Sequence, residues 1–358
     1  MKIILYIDTM QYGGANRVMA NLANYFSSLS DNRVILINDI ECKNEKEYIL
    51  NDKIERYYLD KDITNKFMRK QIQRIKMLRK IVKNTDADVI LSFMGPPNYR
   101  MLISTMGLSI KKCVSVRNDP YREYGKGIRR IIANIIFLLS DGYILQTEDA
   151  AKYFVKNIQK KSKIIFNPVN EKFYSVKRDV EEKRIVMVGR LQKQKNFELA
   201  IRAFAKVHRL HADYKLCIYG EGELKPKLKK LALELNISNF VEFLGQVSDI
   251  EKKLSNASLF LLTSDFEGMP NALMEAMAVG VPVISTDCPC GGPRTLIENE
   301  MQGILVPCNQ CDALANAIDK VLDDNQLRNV MRINCKKRAE EFLPIKIFEQ
   351  WDNYLRRM

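Results

Sequence analysis

Glu267 and Glu275 stand eight residues apart in the stretch Glu267-Gly268-Met269-Pro270-Asn271-Ala272-Leu273-Met274-Glu275. Two carboxylates at that interval could do acid/base work or could accept hydrogen bonds from the hydroxyls of a bound sugar. The elements around them bear on the choice. Residues 257–263 read as a buried strand, and 272–278 as a helix that Gly280 and Pro282 stop. The loop between therefore opens onto a helix N-terminus. First-turn amides there, including those of Asn271, Ala272 and Leu273, lack intrahelical partners and offer an anion the positive end of the dipole. With a phosphate seated there, Glu275, about a turn further on, would suit a ribose diol, and Glu267 would face whatever lies beyond the phosphate. A solvated helix glutamate and a loop charge are the plain alternative, so the neighbouring loops have to decide.

Ligands of open α/β sheets bind beyond the carboxyl ends of the strands. After the first strand comes Gly13-Gly14 opening a helix, where backbone can approach a ligand and leave amides for an anion. This is not the dinucleotide G-x-G-x-x-G fingerprint, and only Asp39 stands where a ribose-binding acid would be expected. Beyond the strand that ends at Gly189, Arg190 and Lys195 precede a helix, a guanidinium fork and a mobile ammonium suited to clamping a diphosphate. Arg117-Asn118-Asp119-Pro120 follows the strand at 112–116. Asp119 could hold a sugar hydroxyl or take a proton, and it is equally an ordinary turn residue before Pro120. Cys290-Gly291-Gly292 is a further glycine-rich loop that could border the same cleft.

The chain has 358 residues, 46% hydrophobic and 28% charged, which suits two soluble globular domains. No apolar run approaches the roughly 20 residues that span a bilayer. The longest, 131–139, reads as a core or interfacial helix, and the opening MKIILYID reads as a strand rather than a signal peptide. Eight cysteines without a secretory signal point to a reducing cytoplasm. Cys308-x-x-Cys311 has no second ligand pair nearby, and His208 and His211 lie far off in the sequence, so no metal site is expected.

The net charge of +14 is uneven: residues 1–172 carry 30 Lys+Arg against 18 Asp+Glu. Residues 66–83 read as a basic amphipathic helix with an apolar stripe of Ile72, Ile75, Leu78 (or Arg79) and Val82. Arg122, Lys126, Arg129 and Arg130 precede the apolar run, an arrangement that favours an anionic membrane surface or a phosphorylated partner. Neither cluster is interleaved with stacking aromatics, so nucleic acid is not expected.

Strands and helices alternate twice over, the pattern of two doubly wound α/β domains. The break at Asn167-Pro168-Val169-Asn170 and the charged stretch 177–184 put the linker at 167–180. This yields domains of 1–170 and 171–342, with an amphipathic helix after Pro344.

The ordered set of Gly13-Gly14-Ala15-Asn16-Arg17-Val18, Asn167-Pro168-Val169, Gly189-Arg190-Leu191, Lys195-Asn196, Gly220-Glu221-Gly222 and Glu267-x7-Glu275 resembles the retaining glycosyltransferases of family 4 along essentially the whole chain. The resemblance implies the GT-B fold: two Rossmann-like domains facing across a cleft, with the last helix, 343–358, crossing back to the first domain. It implies a nucleotide-sugar donor on the C-terminal domain, with Arg190 and Lys195 on the diphosphate, Glu275 on the ribose and Glu267 on the transferred hexose. Amides of Asn271, Ala272, Leu273 and Gly14 would meet the phosphates. Many members carry an N-domain histidine; here that loop is Arg117-Asn118-Asp119, which would contact the acceptor, with Asp119 or Asn118 in the histidine's place.

The chain is also similar to the branch that builds O-antigen, capsule and lipid-linked glycans, which implies a UDP-hexose or UDP-N-acetylhexosamine donor and a polyprenyl-diphosphate-linked saccharide acceptor. A cytoplasmic protein peripheral to the inner face of the membrane would follow. Same-face attack needs positioning and charge rather than a metal, and Asp86-Ala87-Asp88 lies at the wrong end of its strand for a donor site. The rival expectations are a UDP-sugar epimerase of the same fold and a non-catalytic nucleotide- or polyanion-binding protein.

Overall fold

Short apolar runs become strands buried on both faces because helices cover each side of a parallel sheet. A computed structural model describes residues 1–41, 47–60, 67–178 and 180–358, with Phe67 and Met68 described in the backbone alone. Residue Lys66 of the expected basic helix, and Asp179 within the expected linker, lie outside the described residues.

The chain divides into two compact units, Met1–Asn167 with Ile345–Met358, and Pro168–Pro344. The first boundary falls three residues before the expected one and the second two after. The reason is local: Asn167 accepts from Gln146 within unit 1 at 3.0 Å, whereas Val169 N bonds the Phe342 carbonyl within unit 2 at 3.0 Å.

Among the described residues unit 1 holds seven parallel strands: β1 (Lys2–Ile7), β2 (Arg33–Asn38), β3 (Glu55–Tyr58), β4 (Val89–Phe93), β5 (Lys111–Ser115), β6 (Gly142–Leu145) and β7 (Ser162–Ile164). Their order is β3-β2-β1-β4-β5-β6-β7. Unit 2 holds six: β8 (Glu182–Val188), β9 (Lys215–Tyr219), β10 (Val241–Gly245), β11 (Ala257–Leu262), β12 (Val283–Thr286) and β13 (Ile304–Val306), ordered β10-β9-β8-β11-β12-β13. Both orders reverse direction beside the first strand, between β1 and β4 and between β8 and β11. Ile4 faces Ile90 across the first reversal, and Val186 faces Phe260 across the second. A crevice forms at such a switch point because the flanking helices go to opposite faces.

Two edge strands, β3 and β13, escape a reading of periodicity. Glu55-Arg56-Tyr57-Tyr58 is polar and not fully buried, and β13 is three residues long.

In unit 1, α1 (Gly14–Ser28), α2 (Phe67–Thr85), α3 (Gly95–Ser104), α4 (Pro120–Glu123) and α5 (Ile128–Phe137) connect the strands. In unit 2, α6 (Phe197–Val207), α7 (Asn271–Val279) and α8 (Cys311–Asp323) do so, and α9 (Pro344–Arg357) returns to unit 1. Ile347, Trp351 and Leu355 of α9 join Ile3, Leu5 and Phe93 in one core. Tyr354 accepts from Tyr143 N and donates to the Lys161 carbonyl, both at 2.8 Å.

The basic helix α2 packs differently from its expected stripe. Leu78, Ile81 and Val82 are buried, and so is Arg74, which bonds Asp60 through Nε at 2.7 Å and pairs with Asp39 at 3.3 Å. Ile72 instead is half exposed. No helix among the described residues is long and apolar enough to cross a membrane.

Candidate active site

At the switch point of unit 2, β8 and β11 end side by side, and the loops beyond them carry Arg190 with Lys195 and Glu267. Lys195 Nζ lies 2.5 Å from Glu267 Oε1, and the Ser264 hydroxyl donates to the same oxygen at 2.6 Å. Glu267 is 7% exposed, while Lys195 keeps about a quarter of its side chain in solvent (24%). Arg190 is exposed at the carboxyl end of β8. A buried carboxylate and a half-buried ammonium thus neutralise each other where a polar ligand would enter.

The Lys195 loop is fastened to the Glu267 loop by its backbone. Asp265 N donates to the Gln194 carbonyl at 2.8 Å, and Gln194 Nε2 donates to the Phe266 carbonyl at 2.9 Å. Thr263 Oγ1 lies 3.0 Å from the Lys195 carbonyl and 2.9 Å from that of Asn196.

Asn196 is the joint. It sits in the left-handed region at φ 44°, caps α6 by accepting from Leu199 N at 3.2 Å, and donates to Asp265 Oδ1 (2.8 Å) and Asn309 Oδ1 (2.9 Å). Loops after β8, β11 and β13 meet on one amide. Asn is among the few residues that tolerate this conformation. Ser264, Asp265 and Asn309 bond Glu267 or Asn196, and the sequence reading missed them. Only Asn196 had a local signal, as a polar residue immediately before a helix.

Two glycines are needed for this packing. A Cβ on Gly220, at φ 136°, would stand 1.9 Å from the Gly189 carbonyl oxygen, and one on Gly292 would stand 1.8 Å from that of Gly268. The loops holding Gly220 and Gly292 therefore lie directly against the Arg190 and Glu267 loops.

Asn271 begins α7, and Pro270 O accepts from the amides of both Leu273 (3.1 Å) and Met274 (3.2 Å). This corrects the expectation for Leu273, whose amide is engaged by the Pro270 carbonyl. Glu275 lies within α7 at 6% exposure; it is neither solvated nor on the surface. Burial raises the Cys288 thiol above its ordinary pKa, with the Glu267 charge adding to the effect, so this cysteine is held protonated.

Gly14, Arg117, Asn118 and Asp119 belong to unit 1. Gly14 is the first residue of α1, and Tyr48 OH bonds the amide and carbonyl of the preceding Gly13 at 3.3 and 3.2 Å. Asp119 is 4% exposed and caps α4 by accepting from Tyr121 N at 2.9 Å; Asn118 Oδ1 accepts from Asp119 N at 2.9 Å. Arg117 turns inward at 8% exposure, bonds Asn167 Oδ1, and stacks 4.7 Å from the Phe93 ring and 5.9 Å from Trp351. Burial pulls its pKa down to about 9, which leaves it charged at neutral pH.

A carboxylate that the sequence reading did not single out, Glu123, lies beside this loop. Its Oε1 accepts from Gly95 N at 2.6 Å, its Oε2 has no protein partner, and burial, with Asp119 and Asp8 adding smaller contributions, raises it to about 7.

Asp39, the one candidate ribose acid of a dinucleotide fold, is buried against Arg100 Nη1 (2.7 Å), Tyr6 OH (2.7 Å) and Arg74. Asp88 accepts from Lys2 N at 2.7 Å at the amino end of β4, away from the ligand edge. Among the described residues one trio could hold a cation, His211, Asp319 and Asp323; a plain hydrogen bond of 2.8 Å between His211 Nε2 and Asp319 accounts for it. Cys308 and Cys311 join no such group.

The family model of glycosyl transferases group 1 matches residues 169–338, which spans the whole Lys195–Glu267 site. A Campylobacter jejuni N-acetylgalactosamine-N,N'-diacetylbacillosaminyl-diphospho-undecaprenol 4-alpha-N-acetylgalactosaminyltransferase is 30% identical, over 99% of each chain. A second C. jejuni enzyme, an alpha-1,4-N-acetyl-D-galactosaminyltransferase named for an undecaprenol-diphosphate-linked saccharide, is 28% identical over 98% of this chain and 97% of its own. Anabaena HepE, solved with UDP, superposes with a TM-score of 0.83 at 17% identity over 100% of both chains, and so shows the fold. The chain thus has the GT-B fold and belongs to the group 1 glycosyltransferases.

Proposed function

We propose that the protein is a retaining glycosyltransferase that moves a hexose or N-acetylhexosamine from a UDP-sugar to a polyprenyl-diphosphate-linked saccharide in bacterial surface polysaccharide synthesis. The observation that carries the reading is the Lys195–Glu267 pair at the unit 2 switch point, beside an exposed Arg190 and the open end of α7. An ammonium that neutralises a carboxylate in the free protein becomes available to a diphosphate once the carboxylate turns to sugar hydroxyls. Lys195 and Arg190 would then stabilise the charge that gathers on the leaving group, an effect worth several kcal/mol in a preorganised site.

Glu267 would hold the transferred sugar and Glu275 the ribose. The amides that open α7, around Asn271 and Ala272, would meet phosphate oxygens; in unit 1 the amide of Gly14, at the start of α1, would offer an anion contact. In unit 1 Asn118 and Asp119 would serve the acceptor, whereas Arg117, expected there too, is buried against Phe93 and Trp351 and would only hold their loop in place. Asp119 already carries a capping hydrogen bond, so its free lone pairs are what a sugar hydroxyl would meet. Charge is supplied by side chains, and no metal takes part.

The acceptors named for the two C. jejuni relatives are undecaprenol-diphosphate saccharides. For an acceptor of that kind the reaction takes place at a bilayer, and the strongly basic N-terminal half suits a peripheral position on the inner face of the cell membrane.

The test is incubation with a panel of UDP-sugars and a polyprenyl-diphosphate-linked saccharide. UDP release coupled to a lengthened glycan with retained anomeric configuration is expected. Donor turnover without acceptor would point to an epimerase, and nucleic-acid binding without UDP-sugar affinity to a polyanion-binding module.

A further inference from the structure

Helix α5 is inside out. Ile128 (68% exposed), Ile131 (56%), Ile132 (49%) and Ile135 (62%), with Leu138 (52%) just beyond, follow the i, i+3, i+4, i+7 rule of one helical face, and that face is in solvent. The face turned inward carries Ala133, Phe137 and the polar Asn134, whose side chain bonds the Arg130 carbonyl at 2.8 Å and Val155 N at 2.7 Å. Single exposed aliphatics are ordinary on a protein surface, but five along one ridge are not. Ile103 and Met106, also exposed, continue the apolar surface from the end of the neighbouring α3.

The charge around the ridge says what covers it. Lys126 and Arg129 are exposed at the start of α5, and residues 124–139 contain no Asp or Glu. Lys156 is exposed beside Val155. A second copy of the chain docking face to face would bring these cations against their own kind, whereas an anionic lipid surface takes both halves of the pattern. An interfacial helix lies in the membrane plane with its apolar face about 5–10 Å into the headgroup boundary and its cations among the phosphates.

We infer that α5 is the element with which this protein inserts into an anionic bilayer, Ile128, Ile131, Ile132, Ile135 and Leu138 entering the acyl boundary and Lys126 and Arg129 meeting the headgroups. The inference rests on the lipid-borne acceptor only for its purpose, because the binding it describes needs neither donor nor acceptor.

The experiment is sedimentation of the full chain with phosphatidylglycerol-containing vesicles and with pure phosphatidylcholine vesicles, without either substrate. Wild type binds the anionic vesicles more tightly and releases partly in high salt. Ile131→Gln with Ile135→Gln lowers the vesicle partition at least about tenfold, since each isoleucine loses most of its apolar burial. Ile333→Gln, at an isoleucine 69% exposed in unit 2, serves as the matched control and changes nothing. Lys126→Gln with Arg129→Gln weakens binding to anionic vesicles and leaves the weak phosphatidylcholine binding unchanged. Equal vesicle binding by the α5 isoleucine variant and wild type overturns the inference, as does wild type that ignores both vesicles. A dimer seen by light scattering that the same variant dissociates, with vesicle binding intact, gives the face to a second copy instead. Failure here leaves the transferase reading standing, since that reading is judged by sugar transfer and this one by lipid partition.

Discussion

Lys195→Ala removes the ammonium 2.5 Å from Glu267 and leaves that buried carboxylate with the Ser264 hydroxyl at 2.6 Å. Two consequences separate cleanly. The first is stability. Breaking a fully buried ion pair costs about 3–5 kcal/mol and an exposed one about 0–1 kcal/mol. With the carboxylate 9% exposed and the lysine 24%, this pair belongs between them, at about 1–3 kcal/mol. For a unit of this size each kcal/mol moves the melting temperature about 2–4 °C, so the variant should melt roughly 2–12 °C lower. Adding Glu267→Gln removes the stranded charge and should restore most of that loss. The second consequence is turnover. If Lys195 meets the departing diphosphate, its removal costs about 3–4 kcal/mol at the transition state, a loss of at least about a hundredfold. Initial rates of UDP release at saturating donor, taken at 20 °C where the variant is still folded, measure this apart from stability. Turnover close to wild type would refute the diphosphate role, and an unchanged melting temperature would refute the energetic weight given to the pair.

Asn196→Gly keeps the left-handed backbone but loses the amide that bridges Asp265 and Asn309, whereas Asn196→Ala loses both. The alanine variant should unfold at lower urea than the glycine variant by about 1–2 kcal/mol, and both should turn over slowly; a glycine variant as active as wild type would show that the bridge is dispensable. Gly292→Ala pushes a methyl group into the Gly268 carbonyl, so the Glu267 loop must move and donor KM should rise several-fold; an unaltered KM would mean the loop tolerates the shift. Because burial raises Glu123 to about 7, the folded state binds its proton more tightly than the unfolded state. Its protonated form therefore favours folding in full only below the ordinary carboxyl value of 4.5, and that contribution is lost as pH rises from there through about 7. Glu123→Gln should match wild type in urea midpoint at about pH 4 and exceed it at about pH 8, and a pH-independent difference would sink the assignment. EDTA should leave activity intact; loss restored by manganese would overturn a site in which charge comes from Arg190 and Lys195.

Much of the unit 2 site is legible in the sequence because its parts are contiguous. A strand, a loop and a helix within some twenty residues carry Glu267, Asn271 and Glu275, and another such unit carries Arg190 and Lys195. Local hydrophobic period and helix-stop residues are enough to place those side chains at strand ends. The loops of unit 1 are harder. Asp119 reads equally as a turn residue and as a group that holds a sugar hydroxyl or takes a proton, and it is in fact a helix cap. Arg117 looks like a surface cation in sequence, yet its guanidinium is enclosed by Phe93 and Trp351, far apart along the chain. Ile72 reads as a core residue of α2, but the buried face is turned so that Arg74 goes inward to Asp60 and Asp39. Helical period states which residues share a face, not which face the rest of the protein covers.

The sequence alone determined the two α/β units, the loops that could touch a ligand, the basic N-terminal half and the glycosyltransferase resemblance. Each of these depends on neighbours in the chain or on composition. Only the tertiary structure decided that Lys195 and Glu267, 72 residues apart, form one ion pair, that Asn196 ties three loops, that the Leu273 amide is engaged, and that α5 faces its isoleucines outward. Those facts follow from strand order and from which helix faces are covered, which are set by non-local packing that no local pattern encodes.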